Sequence, residues 1–126
     1  MQRMIIRLSL TILLISAFQI AHAECPEEKA GDLVKVDYKR NNLVETIVVG
    51  PSNIEGNYLE SVVLVIGEPK KPKYVAGLSV FTDEGKAKLV LDGEVEYVNQ
   101  SLLRFRYFTK NRHCYKVLLV PLQVKE

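Results

Sequence analysis

Short runs in which apolar and polar residues alternate, separated by turn-forming residues, fill the chain from Leu33 onward. Residues 34–39 (VKVDYK) and 101–108 (SLLRFRYF) show the alternation most clearly. A repeat of two residues is the period of a β-strand that buries one face and exposes the other. Since no segment carries the 3.6-residue apolar stripe of an amphipathic helix, the pattern restricts this chain to an all-β fold.

The breaks between the runs contain glycine, proline, asparagine or aspartate and divide the chain into about eight short strands. The predicted strands are residues 34–39, 43–49, 58–66, 74–81, 86–91, 95–98, 101–108 and 114–122. The run 58–66 ends in five consecutive aliphatic residues, which is typical of a central strand covered on both faces. Pro121 in the last run predicts a strand end or a sheet edge, because proline cannot donate to a sheet ladder.

Asp92-Gly93 lies between two of these runs, and an Asp-Gly pair is a strong signal for a β-hairpin. A two-residue loop would set Leu89 and Leu91 opposite glutamates, whereas one additional loop residue aligns them with apolar partners. Strand register follows the buried face. We therefore predict a hairpin at this position with the longer loop.

Short strands joined by tight loops predict an antiparallel β-sandwich of about 7–8 strands with immunoglobulin-like architecture. The comparison concerns architecture alone, because the chain contains no tryptophan and lacks the Cys–Trp–Cys spacing of antibody domains. A small closed β-barrel is the alternative.

Residues 1–23 have the pattern of a secretory signal peptide. Arg3 and Arg7 form a basic start, residues 8–15 (LSLTILLI) form an apolar core, and Ala21-His22-Ala23 ends in a cleavage site. The apolar run is shorter than the roughly 20 residues of a membrane-spanning helix, so we expect no stable membrane span after cleavage. The prediction is a single β-sandwich domain over 24–126, exported to the periplasm of a Gram-negative bacterium or otherwise secreted.

Cys25 and Cys114 are the two cysteines of the chain, so only one intramolecular pairing is possible. Exported proteins meet an oxidising environment, and we predict a disulfide that joins the N-terminal segment to the start of the last strand. The chain has no Cys-x-x-Cys motif, which disfavours redox catalysis. Glu24 precedes Cys25 directly, which does not fit a lipid-anchor signal.

The sequence contains no recognisable catalytic constellation, and we expect a protein that is not an enzyme and uses no cofactor or metal. Once residues 1–23 are removed, His113 is the remaining histidine, too few for a multi-histidine metal site. Phosphate-binding loops, nucleophile elbows and zinc-protease motifs are missing. Acidic residues occur in or beside turns, where a solvated charge is the ordinary state.

Cleavage of the signal would also make the chain neutral. Arg3 and Arg7 would be lost without any acidic residue, so the 17 basic residues become 15 and match the 15 acidic ones. Net charge therefore favours neither nucleic acid nor an anionic membrane as the partner.

Two basic segments form the candidate partner-binding surface. One is a lysine-rich loop that ends at a tyrosine, and the other is the polar face of the strand 101–108. The candidate residues are Lys70, Lys71, Lys73, Tyr74, Arg104 and Arg106. Together they would suit a protein with an acidic surface, whereas the alternative is ordinary solubilising charge that protects an edge strand.

Three functions fit these features. The first is a binding module for another protein, such as an inhibitor, an immunity factor or an envelope assembly adaptor. The second is a structural subunit or chaperone of a surface fibre that assembles through sheet edges, with the apolar segments 62–66 and 117–122 as candidates. The third is a carrier of a small apolar ligand between the sheets.

Overall fold

The computed structural model describes residues 25–68, 70–110 and 114–124, so the predicted signal peptide and His113 lie outside the described residues. Strands dominate this part of the chain, with a single 3₁₀ turn at Gly31–Leu33 and one short helix, α1, at Val95–Val98. The strands are β1 (Glu28–Lys29), β2 (Lys35–Arg40), β3 (Val44–Pro51), β4 (Asn53–Ile54), β5 (Asn57–Glu68), β6 (Lys71–Leu78), β7 (Phe81–Asp83), β8 (Lys86–Gly93), β9 (Ser101–Tyr107) and β10 (Lys116–Pro121).

The strands form two sheets. A four-stranded sheet has the order β2-β3-β8-β7, and a six-stranded sheet has the order β1-β10-β9-β5, with β4 and β6 both paired to the far edge of β5. Every pair is antiparallel except β1, which runs parallel to β10. Within the described ranges no strand pair joins the two sheets, which distinguishes this sandwich from a closed arrangement.

The strand order is that of an immunoglobulin-like sandwich. When β2, β3, β5, β7, β8, β9 and β10 are lettered A to G, one sheet reads ABED and the other contains CFG, the order of constant-type immunoglobulin domains. The predicted all-β sandwich with immunoglobulin-like architecture is confirmed. The additional strands β1, β4 and β6 widen the CFG sheet.

The core lies between the two sheets and follows the alternation in the sequence. Leu103, Phe105 and Tyr107 of β9 are fully buried, and Val48 of β3 faces them from the four-stranded sheet. Gly50 allows the sheets to approach, because a Cβ at this position would lie 2.9 Å from Cε2 of Phe105. Side chains from the two inner faces interdigitate in this way in packed sheets.

The predicted Asp92-Gly93 hairpin is wrong. Both residues continue β8, where they pair with Glu45 and Val44 of β3. The chain then forms α1, whose first turn is closed by hydrogen bonds from the backbone N–H groups of Tyr97 and Val98 to the Glu94 carbonyl. Helical spacing lets α1 bury Val98 while the chain crosses from one sheet to the other, which a hairpin within one sheet cannot do.

The predicted strand 74–81 is two strands in different sheets. β6 ends at Leu78 in the six-stranded sheet, and β7 begins at Phe81 in the four-stranded sheet. The crossing at Ser79 and Val80 has no glycine or proline to mark it. A continuous alternating run therefore conceals a change of sheet.

Two-residue hairpins occur at Glu-Gly pairs instead. Glu55-Gly56 joins β4 to β5 with φ angles of 51° and 84°, and Glu84-Gly85 joins β7 to β8 with φ angles of 49° and 78°. Positive φ at both central residues is the requirement of a type I′ turn. Glycine meets this requirement at the second position of each turn without a steric penalty.

Tyr107 connects the sheets through a partly buried hydrogen bond. Its hydroxyl donates to the Pro51 carbonyl oxygen at 2.7 Å, and burial raises the pKa of the Tyr107 phenol. Replacing Tyr107 with phenylalanine should lower the free energy of unfolding by about 0.5–1.5 kcal/mol, the net contribution of a typical intramolecular hydrogen bond. Urea unfolding of both proteins at pH 7 measures this difference, and equal midpoints would contradict it.

Because the pKa of the Tyr107 phenol is raised in the folded state, we expect the free energy of unfolding to decrease at alkaline pH. A raised pKa in the folded state means that the stabilisation is complete below about pH 10, the pKa of an unfolded tyrosine, and decreases as the pH rises above it. Wild type should therefore lose more unfolding free energy than Tyr107→Phe between pH 9 and pH 11. Parallel losses would show that other groups cause the decrease.

Candidate functional site

The N-terminal segment is attached along β10. Cys25 and Cys114 form a disulfide with a Cα–Cα distance of 5.1 Å, which confirms the predicted pairing. The Cys25 N–H donates to the Tyr115 carbonyl at 2.8 Å, and the Ala30 N–H donates to the Leu119 carbonyl at 3.0 Å. The chain between these contacts forms β1.

One face of the six-stranded sheet points away from the four-stranded sheet, and we call it the outer face. Strand register defines its members, since residues that pair directly share a face. On this face Arg106 of β9 pairs with Val117 of β10, and Arg104 of β9 lies between Val63 of β5 and Leu119 of β10. Among the described residues no further layer of strands or helices covers this face.

An aromatic–cation cluster lies at one end of the outer face and consists of Tyr58, Arg106, Phe108, Lys110 and Tyr115. The guanidinium carbon of Arg106 lies 4.5 Å from the centre of the Tyr115 ring, and Nζ of Lys110 lies 5.7 Å from the Tyr58 ring. Phe108 meets Tyr115 edge to face at 6.4 Å. Both distances from cation to ring are within the range of cation–π contacts.

Two aromatic side chains of this cluster are exposed to solvent, although the backbone that carries them lies in or beside the hydrogen-bonded sheet. Tyr58 is 60% exposed and Phe108 is 52% exposed, although both belong to or adjoin regular strands. The Phe108 N–H donates to the Tyr58 carbonyl at 2.8 Å. The two aromatic side chains are therefore exposed to solvent, while the backbone that carries them is fixed by a hydrogen bond.

The two arginines of β9 lie against the sheet and reach the solvent at their ends. Their Nε atoms are buried, and Val117 is fully buried although it belongs to the outer face. Long side chains cover apolar surface with their stems and keep the charged head hydrated. Arg104 also forms an ion pair with Glu27, at 2.6 Å between Nη2 and Oε1, which links β9 to the segment before β1.

The structure separates the six residues of the predicted surface into two groups. Lys70, Lys71, Lys73 and Tyr74 belong to the hairpin between β5 and β6. Tyr74 pairs with Ile66, which shares a face with the core residues of β9, whereas Arg104 and Arg106 belong to the outer face. The contacts of the two arginines with Glu27 and Tyr115 are on the β10 side, away from β6.

An open groove of about 530 Å³ accompanies the lysine-rich hairpin. Tyr74 and Tyr97 border it and are 55% and 54% exposed. Its lining residues are Ile66, Lys73, Tyr74, Glu96, Tyr97 and Gln100. Tyr97 reaches this position because residues 95–98 form α1 rather than the predicted strand.

Sequence reasoning identified Arg106 but missed the aromatic members of the cluster. Phe108 has the same parity as Arg106 within the run 101–108, and this signal could have placed it on the same face. Tyr58 and Tyr115 join the cluster only through pairing of β5 and β10 with β9. Single-strand periodicity contains no information about such pairing.

The described ranges contain no group of three or more His, Cys, Asp or Glu side chains that could hold a metal ion. Within the same ranges no helix is both long and apolar enough to cross a bilayer. Comparison with models of known protein families, with characterised proteins and with solved structures finds no match to this chain.

Proposed function

We propose that this chain is an exported, non-catalytic module that binds another protein through the outer face of its six-stranded sheet. The aromatic–cation cluster carries the proposal. Tyrosine, phenylalanine and arginine are enriched in protein interfaces, and tyrosine and arginine often contribute most of the binding energy. Here an arginine and three aromatic residues occur together, and Tyr58 and Phe108 are more than half exposed.

The rigidity of the cluster supports the same function. The Phe108 N–H donates a hydrogen bond to the Tyr58 carbonyl, and the Cys25 N–H donates one to the Tyr115 carbonyl, each at 2.8 Å. The disulfide in turn anchors Cys25. A surface that is already ordered loses less conformational entropy when it binds.

The charge of the cluster favours a partner with carboxylates. Arg106 and Lys110 supply two cations beside aromatic faces. A carboxylate could receive hydrogen bonds from the guanidinium while the rings exclude water around it. Electrostatic complementarity of this kind increases the association rate and the specificity of a complex.

Export is the second part of the proposal. The Cys25–Cys114 disulfide suits an oxidising compartment, and the pattern of residues 1–23 is that of a secretory signal. The periplasm of a Gram-negative bacterium is the proposed location, with secretion as the alternative.

The experiment begins with a cross-linked pull-down of the tagged chain from its native envelope. Affinity for the recovered partner is then measured for Arg106→Glu and Lys110→Glu. We expect each reversal to weaken binding at least about tenfold, because each places a negative charge against an acidic surface. Lys110 is exposed, so its reversal should leave the melting temperature unchanged.

Lys39→Glu is the matched control, because Lys39 is an exposed residue of β2 in the other sheet. Affinity reduced equally by Lys39→Glu would indicate a general charge effect. Unchanged affinity in both cluster variants would reject the outer face as the binding site. The lysine-rich hairpin is tested separately by Lys70→Glu, Lys71→Glu and Lys73→Glu, since it forms a second basic surface.

The two alternative functions have less support. The fibre hypothesis named residues 62–66 and 117–122, but β5 is paired along both edges over residues 62–66. β10 is paired to β9 on one side, and β1 pairs with its Leu118 and Leu119 on the other. The ligand-carrier hypothesis needs space between the sheets, where Leu103, Phe105 and Tyr107 are fully buried.

A further inference from the structure

The free edges of the two sheets differ in how well they are protected. β1 and β4 have two residues each and β7 has three, which is too short for a stable added strand. β2 carries charged side chains at Lys35, Asp37, Lys39 and Arg40 along its edge. Short or charged edges of this kind resist pairing with another chain.

β6 is the exception among the described edges. It has eight residues and pairs only with β5. Its lysines and its proline are confined to residues 71–73, and the remaining segment, 74–78 (YVAGL), has no charge. Tyr74 and Val75 are each 55% exposed. An uncharged, exposed edge strand of this kind is a template on which another chain can add a strand.

We propose that residues 74–78 of β6 pair antiparallel with the same residues of a second copy of this chain, about a two-fold axis at Ala76. This inference is independent of the proposed binding function. In that register Tyr74 lies opposite Leu78 of the other copy, and Val75 lies opposite Gly77. A Cβ at Gly77 would have no atom within 4 Å, so there is open space for the opposing valine.

Charge determines the choice between parallel and antiparallel pairing. A parallel pair in register would place lysines of the two copies about 4.8 Å apart. In the antiparallel register Lys73 faces residue 79, so the two Lys73 residues are six positions apart along the strands, about 20 Å. This separation exceeds the Debye length of about 8 Å at physiological salt, and the repulsion is screened.

The proposed dimer has a continuous sheet across the two copies. A two-fold axis perpendicular to the sheet keeps inner faces on one side and outer faces on the other. The two aromatic–cation clusters would then point in the same direction. A partner with repeated sites would bind such a dimer more tightly than a single copy, through effective concentration.

Sedimentation velocity of protein purified after expression of the full chain tests the pairing. We expect a concentration-dependent equilibrium between monomer and dimer, with the dissociation constant raised at least about tenfold by Val75→Lys. The two new lysines would be diagonal neighbours about 7–8 Å apart. Val90→Lys is the matched control, because Val90 is 50% exposed but belongs to β8 of the four-stranded sheet.

Hydrogen exchange supplies a second measurement that does not depend on a variant. Amide groups of residues 74–78 should become more protected as the protein concentration rises, whereas those of β2 should not. A monomer at every concentration, or equal loss of the dimer in Val75→Lys and Val90→Lys, would overturn the proposal. Protection of β6 by a different protein instead of a second copy would overturn it as well.

Discussion

Replacing both Cys25 and Cys114 with serine is expected to lower the free energy of unfolding by about 4 kcal/mol. The bond joins residues 89 positions apart, and in the chain-entropy model a closed loop of about this length restricts the unfolded chain by roughly 4–5 kcal/mol. Urea unfolding of the double variant and of wild type measures the difference. A change of less than about 1 kcal/mol would show that the segment is held by its other contacts.

A local effect should accompany the global one. β1 has only two residues, and a chain end without an anchor frays. In the double-serine variant we therefore expect faster hydrogen exchange at residues 25 and 30, whose backbone N–H groups donate to the Tyr115 and Leu119 carbonyls in the intact protein. The central strands should keep their protection. Wild type reduced under native conditions provides the control, because it loses the bond without any substitution.

Phe105→Ala is expected to lower the free energy of unfolding by about 3–5 kcal/mol, the usual cost of removing a buried aromatic side chain. Phe105 is fully buried and meets the backbone of the opposite sheet at Gly50. Phe108→Ala is the matched control, because Phe108 is 52% exposed. It should change stability by less than about 1 kcal/mol while weakening partner binding. Equal losses of unfolding free energy in the two variants would contradict the placement of Phe105 in the core.

The contact between Phe105 and Gly50 can also be tested by a substitution at Gly50. A Cβ at Gly50 would lie 2.9 Å from Cε2 of Phe105 and 3.2 Å from Cγ2 of Val34, so Gly50→Ala should cost about 1–3 kcal/mol through overpacking. Removing the Phe105 ring also removes the closer of these two clashes. The double variant should therefore be more stable than the sum of the single losses predicts, as found for residues in contact. Additive losses would exclude the contact.

The strand 101–108 illustrates how much of the candidate site is local. Alternation alone places Phe105 and Tyr107 on one face and Arg104 and Arg106 on the other, because successive side chains of a strand point in opposite directions. The structure confirms both assignments. The same reasoning cannot tell which strands lie beside β9, and so it could not bring Tyr58 and Tyr115 to Arg106.

The two wrong strand predictions have a common physical cause. Residues 74–81 and the Asp92-Gly93 pair both lie where the chain moves from one sheet to the other. Local propensity is satisfied by a single strand in the first case and by a hairpin in the second. Burial of Val98 and the pairing of Gly93 with Val44 outweigh that propensity, because they depend on residues distant in the sequence.

The sequence by itself determined the all-β class, the positions of most strands, the buried face of a clearly alternating strand such as β9, and the pairing of the two cysteines. These properties follow from a period of two residues and from a choice with one solution. Only the tertiary structure decided the strand order, the changes of sheet and the assembly of the aromatic–cation cluster. Each of these depends on which distant segments become neighbours, and that depends on the packing of the whole core rather than on any single run of residues.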